Sequence, residues 1–233
     1  MNTAIITGGS RSLGKALARE LLSRGLHVII DGRDDAVLDA AERELNNPNL
    51  VAIPGDIASK GHVHELFAAA RRAGRLELLV NNASTLGEVP LPQVEQLAYE
   101  TLARLFDVNV FAPVHLMQHA LRLMRRDASR GTIVNITSDA ALEAYPGWGG
   151  YGATKAALEH LSRVLAAELD GTQLRILLAD PGDMNTQMHR DAIPDANPNE
   201  LHDPAESARA LLQAIAEMKS AYERVRLQIQ VPA

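Results

Sequence analysis

Tyr151 and Lys155 lie four residues apart in the stretch YGATK. On a helix that spacing sets both side chains on one face, with Cβ atoms about 5–6 Å apart. A free phenol, with a pKa near ~10, exchanges protons sluggishly at neutral pH. A neighbouring cation favours the phenolate, and a shift of ~2–3 units corresponds to about 3–4 kcal/mol. The pair therefore predicts acid–base chemistry in which Lys155 acidifies Tyr151. A tyrosine that only anchors a helix would need no lysine one turn on.

A second stretch, TGGSRSLG (7–14), predicts an anion site. It follows the first apolar run and opens a helical pattern. Glycine lets backbone approach a pyrophosphate, and a helix N-terminus offers free N–H groups and the positive end of its dipole. The spacing is T-G-x-x-x-S-x-G rather than G-x-G-x-x-G, with Ser12 where a middle glycine is expected. Counting about 20 residues beyond these glycines to the acid that would bind a ribose 2′-OH reaches Asp31.

Positioning such groups requires a sheet. Short apolar runs at 3–7, 27–31, 50–53, 76–80, 131–137, 174–180 and 225–231 read as strands. Most lack alternation, which predicts burial on both faces and so a parallel sheet. Helical patterns at 12–24, 35–46, 60–73, 93–126 (two helices), 150–170 and 204–220 separate them. Strand–helix alternation predicts a doubly wound α/β fold with helices on both faces. No repeat or linker divides the chain, so residues 1–233 are expected to form one domain. The long unpatterned stretch 183–203 leaves the carboxyl end of a strand, where such sheets bind ligands, and is expected to be a substrate lid.

Composition narrows the function classes. The chain is 46% hydrophobic and 22% charged, with 3% aromatics, so its core is aliphatic. A net charge of −6 argues against nucleic acid. There are no cysteines, which removes disulfides and thiolate chemistry. No signal peptide and no run of ~18 apolar residues is visible, so a soluble cytoplasmic protein without a membrane partner is expected. His115 and His119 also lie four apart, but HExxH is absent and no third ligand has a convincing spacing. Surface or subunit-interface histidines, and no metal, are expected.

TGGSRSLG, NNAS (81–84), DVNV (107–110), Ser138, YGATK and PGDMNT (181–186) together resemble, in order and spacing, the single-domain branch of the short-chain dehydrogenase/reductase family. The resemblance covers about residues 3 to 190. It implies a Rossmann-like sheet of seven strands in the order 3-2-1-4-5-6-7. It implies catalysis by Asn109, Ser138, Tyr151 and Lys155. Ser138 would hold the substrate oxygen, Asn109 would complete a water relay to Lys155, and Lys155 would also bind the nicotinamide ribose. The cofactor would lie against Gly8, Ser10, Arg11, Ser12, Leu13, Gly14, Arg33, Asp56, Ile57, Asn81, Ala83, Pro181, Gly182 and Thr186, besides Tyr151 and Lys155. Two positions depart from the family pattern: Ser12, and Ser84 where N-N-A-G is usual.

Alignment with the family moves the ribose-binding position from Asp31 to Gly32, followed by Arg33, and matches Arg11 to a second basic residue of NADP-preferring relatives. NADP(H) is therefore expected over NAD(H). Tyr145, Trp148, Met184, Met188 and His189 flank these motifs and are expected to line the substrate pocket. The expected activity is NADPH-dependent reduction of a small carbonyl compound, reversible to alcohol oxidation. NAD-dependent alcohol dehydrogenation and an idle dinucleotide-binding module stand as alternatives. Relatives pair through the helix after Tyr151, so a homodimer or homotetramer is expected; the ending QIQVPA lacks their glycine-rich tail.

Overall fold

The computed structural model describes residues 2–126 and 130–229. Seven strands, β1 (Asn2–Ile6), β2 (His27–Gly32), β3 (Leu50–Pro54), β4 (Arg75–Asn81), β5 (Arg130–Ile136), β6 (Gln173–Asp180) and β7 (Tyr222–Arg226), form one sheet in the order β3-β2-β1-β4-β5-β6-β7. Every pairing is parallel. This is the doubly wound, Rossmann-like arrangement expected. The last strand begins three residues before its expected start. Residues 227–229 are irregular, and the rest of that expected strand lies outside the described residues.

Strand periodicity sorts the core into two halves. Successive side chains point to opposite faces of a strand. Ile5, Ile29, Leu79, Ile133 and Ile176 pack with Phe67, Leu116 and Leu158 of α3 (Lys60–Ala73), α5 (Ala112–Arg126) and α6 (Gly149–Glu168). Their neighbours Ala4, Ile6, Val28, Ile30, Val80, Val134 and Leu177 face the other way. These meet Leu17, Leu38 and Leu211 of α1 (Ser12–Ser23), α2 (Asp35–Leu45) and α8 (Pro204–Glu217). Both faces are covered along the central strands, so these carry apolar runs instead of strict alternation.

Two stretches differ from the sequence-based expectation. The expected pair of helices over 93–126 is a 3₁₀ turn (Val94–Gln96) followed by α4 (Tyr99–Phe106), a π turn (Asp107–Phe111) and α5 without a break. Pro113 has no N–H to give the carbonyl of Asn109, so the helical ladder must shift register at this point. The unpatterned stretch 183–203 holds α7 (Gln187–Ala192) and a 3₁₀ turn (Pro198–Glu200). Its ends are tied together: Asn185 N–H donates to the His202 carbonyl (2.9 Å) and His202 N–H to the Asp183 carbonyl (2.8 Å). No helix among the described residues is long and apolar enough to cross a membrane.

Candidate active site

The strand order reverses between β1 and β4, and a cleft of about 510 Å³ opens beyond their carboxyl ends. That volume suits a small-molecule site. One end of the cleft is made of backbone. Gly8 takes a left-handed φ of +65°, and its N–H donates to Asp31 Oδ1 (2.6 Å). Ser12, at the position where glycine was expected, takes φ +45°, the conformation glycine adopts without strain. Gly14 does not line the cleft. Its role is close approach: a Cβ there would lie 2.4 Å from the Gly8 carbonyl oxygen. The first turn of α1 has no side-chain cap and no acidic residue, so its free N–H groups face the cleft beside Gly8, Ser10, Arg11, Ser12 and Leu13. This cradle fits a dinucleotide pyrophosphate.

The rim of that end carries charge. Arg33 lines it, and Arg11 pairs with Asp34 at 3.2 Å, both side chains 54% exposed. Asp31 lines the cleft but is buried, and each of its oxygens has a partner, the second sitting 3.0 Å from His62 Nε2. Asp56 and Ile57 also line the cleft. Asp56 accepts from Ala58 N–H (3.0 Å) and Arg104 (2.5 Å). Partial burial works to raise its pKa, but these donors hold it below the ordinary carboxylate value. Asn81 does not reach the cleft. It is the buried last residue of β4 and donates to Asn135 Oδ1 (2.6 Å). Its neighbour Asn82 lines the cleft instead, donating to the Thr7 carbonyl at 2.8 Å. The hydroxyl of Thr7 accepts from the N–H groups of Asn82 and Ala83, both at 3.0 Å, and so locks the two turns together.

Ser138, Tyr151 and Lys155 all line this cleft. The glycines around Tyr151 let its helix press close: a Cβ on Gly152 would lie 2.5 Å from the Ala140 carbonyl oxygen. The electrostatics reverse the simple expectation for the phenol. Burial raises the Tyr151 pKa, Asp180 and Asp139 add to the rise, and the Ser84 hydroxyl opposes it. Lys155 makes no direct hydrogen bond to the phenolic oxygen. Its Nζ donates to the Ile136 carbonyl (2.9 Å) and lies 5.4 Å from the Tyr151 ring centroid. Burial pushes the Lys155 pKa down to about 8, against the pull of Glu159 one turn further on. Tyr151 is therefore a protonated phenol.

Ser138 donates to Asp139 Oδ1 (3.0 Å) and accepts from Ala140 N–H (3.2 Å), which caps the following 3₁₀ turn. Arg226 of β7 bridges Asp139 (3.1 Å) and Asp180 (3.2 Å) beneath it. Asn109 is buried in the π turn and does not line the cleft. It clamps the chain beside Tyr151, accepting from Thr85 N–H (2.9 Å) and Ser84 (3.1 Å) and donating to the Thr85 carbonyl (2.9 Å) and Thr154 (3.1 Å). Its side chain makes no contact with Lys155 among these bonds.

Pro181, Gly182, Met184, Thr186, Met188 and His189 line the outer end of the cleft, with Trp148, Leu86 and Val89 opposite. Thr186 caps α7, accepting from His189 N–H (3.1 Å). Tyr145 falls outside this group: it is exposed and its hydroxyl points to Asp139 at 3.4 Å. Sequence reasoning missed Asn82, Ser84 and Glu159. The first two stand inside the quoted NNAS motif, and Ser84 is the departure that gives Tyr151 a hydroxyl neighbour. Glu159, buried between Thr137 (2.6 Å) and Arg224 (3.0 Å), extends the Tyr–Lys spacing by one more turn.

Comparison with known proteins agrees with this fold. The family profile described as short chain dehydrogenase matches residues 2–197. A rhamnolipid-biosynthesis 3-oxoacyl-[acyl-carrier-protein] reductase of Pseudomonas aeruginosa is 36% identical over 80% of this chain and 74% of its own. A diacetyl reductase ((S)-acetoin forming) of Staphylococcus epidermidis is 31% identical over 80% and 72%. The crystal structure of an alcohol dehydrogenase from the archaeon Thermococcus sibiricus, complexed with 5-hydroxy-NADP, superposes with a TM-score of 0.83 at 25% identity, over 100% of this chain and 99% of that one.

Proposed function

This chain belongs to the short-chain dehydrogenase family of oxidoreductases acting on alcohol and carbonyl groups, and from that premise we propose that it is an NADPH-dependent carbonyl reductase. The observation that carries the reading is that Ser138, Tyr151 and Lys155 line the same cleft as the glycine cradle. When bound, a reduced nicotinamide supplies the hydride for the carbonyl carbon. Gly8, Ser10, Ser12 and Leu13 would hold its pyrophosphate, and Ala83, Lys155, Pro181, Gly182 and Thr186 the nicotinamide half.

Tyr151, kept protonated by burial, gives its proton to the carbonyl oxygen as that oxygen gains charge. Ser138 orients the same oxygen by turning its hydroxyl from Asp139 to the substrate. Lys155, held near the ring with a pKa of about 8, restores the proton on Tyr151. Asn109 positions the Ser84–Thr85 backbone that walls the phenol. The preference for NADPH rests on the engagement of Asp31 by Gly8 and His62, which withdraws it from a ribose 2′-OH. Arg33 then remains at the rim for a 2′-phosphate. Arg11 joins it at little cost, since an exposed ion pair such as Arg11–Asp34 contributes under about 1 kcal/mol.

The segment 183–203 serves as the lid, and its methionines with Leu86, Val89 and Trp148 suit a small, largely apolar ketone or aldehyde. Exposed Phe111, Leu161 and Val164, on the π turn and α6, support pairing of two copies on that face. The test is consumption of NADPH and of NADH over a panel of diketones, aliphatic ketones and aldehydes, with Tyr151→Phe as control. Turnover with NADPH that the substitution abolishes is expected. Preference for NADH overturns the cofactor assignment, and an unchanged rate in Tyr151→Phe overturns the proton donor.

A further inference from the structure

Away from the cleft, α3 and α5 bring three histidines together. His115 and His119 occupy successive turns of α5, with Nε2 atoms 3.2 Å apart. The third comes from α3: His64 stacks edge-on to His119 with ring centroids 5.0 Å apart, and to His115 at 6.1 Å. One nitrogen from each of the three lies within 4.8 Å of the other two. A tetrahedral ion with metal–nitrogen bonds of about 2.0–2.1 Å needs its ligand atoms ~3.3 Å apart. The α5 pair already has that separation, and His64 is exposed and able to swing inward.

We propose that His64, His115 and His119 form a binding site for one borderline transition-metal ion, of the Zn²⁺, Ni²⁺ or Cu²⁺ class, which ties α3 to α5. Three imidazoles with no carboxylate or thiolate select those ions over Mg²⁺ or Ca²⁺. Three protein ligands leave a fourth position open to water. The imidazoles of α5 are ready as neutral ligands at pH 7. Partial burial lowers both pKa values, and the neighbouring His64, Lys60, Arg71 and Arg122 act in the same direction. The lysine and the two arginines also repel a divalent ion, which keeps the site weaker than a closed structural zinc centre. None of the three histidines lines the cleft, so the site is independent of the reductase reading.

The test uses the full chain, free of any affinity tag and stripped with a chelator, titrated with Co²⁺ and Zn²⁺. One ion per chain is expected, with the visible absorption of low-coordinate cobalt and a rise in Tm with Zn²⁺. His64→Ala should weaken binding by about 100-fold or more, since even loss of an outer-shell partner costs 10- to 100-fold. His119→Gln should do the same, whereas exposed His160→Ala on α6 should leave affinity unchanged. Lowering the pH through the imidazole range should release the ion. Absence of saturable binding at one ion per chain overturns the proposal. So does a His64→Ala variant that binds as tightly as the parent.

Discussion

The two ends of the cleft are built from different materials. At the cradle end, backbone makes the surface: Gly8 N–H, the φ +45° of Ser12, the Gly14–Gly8 approach and the Thr7 clamp on Asn82 and Ala83. At the outer end, side chains make it: Met184, Met188, Trp148, Leu86 and Val89, the two methionines on a segment whose ends are tied by backbone bonds and whose Ala192 packs against the cluster holding Leu86 and Tyr151. Backbone geometry demands particular residues at fixed spacings. An apolar wall demands only volume, which many residues supply. A substitution should therefore act sharply where a specific atom is used and mildly where only surface is used.

The largest effect is expected at the boundary between the two ends. Tyr151→Phe keeps the ring and removes the proton, so kcat should fall by about 10²–10⁴-fold with KM for the cofactor little changed. Steady-state kinetics checks this. A comparable loss of cofactor affinity would shift Tyr151 from proton donor to cradle wall.

Next is the buried ammonium. The Lys155 pKa drops from 10.5 to about 8, a difference worth about 3 kcal/mol. The folded value lies below the unfolded one, so between pH 8 and 10.5 the unfolded chain binds the proton more tightly. The cost of burying the cation is fully present below pH 8 and disappears as the pH rises toward 10.5. Urea titrations of the cofactor-free protein should show its stability rising over that window relative to Lys155→Met.

At the rim of the cradle, Arg33→Ala should raise KM for NADPH by about 10- to 100-fold, the worth of a lost charge-assisted bond of ~1.5–3 kcal/mol, and leave NADH unaffected. Equal effects on both cofactors would show that Arg33 holds something other than a 2′-phosphate. The smallest effect belongs to the apolar wall. Met188 is 37% exposed, so Met188→Ala should change kcat/KM for ketones by less than about tenfold, unevenly across substrate sizes.

The same contrast explains what could be read in advance. The sheet was legible because strands covered on both faces carry unbroken apolar runs. The cradle was legible because strand, glycine turn and helix follow one another without interruption. Asn81 and Asn82 were harder to tell apart, since only strand parity decides which faces the cleft. Asn109 was placed on a plain helix, because a π turn arises from the carbonyl that Pro113 leaves unpaired. The third histidine was out of reach of any spacing argument, because His64 belongs to a different helix from His115 and His119.

By itself the sequence determined the layered fold, the glycine cradle and the register that sets Ser138, Tyr151 and Lys155 in one place, since each depends on contacts local in the chain or on a simple period. Only the tertiary structure decided the charge states and the partners. It buried the phenol so that it stays protonated, turned the Lys155 ammonium to the Ile136 carbonyl, and gave Asp31 to Gly8 and His62. Desolvation and pairing depend on what packs against a group from distant parts of the chain, and no spacing along the sequence records that.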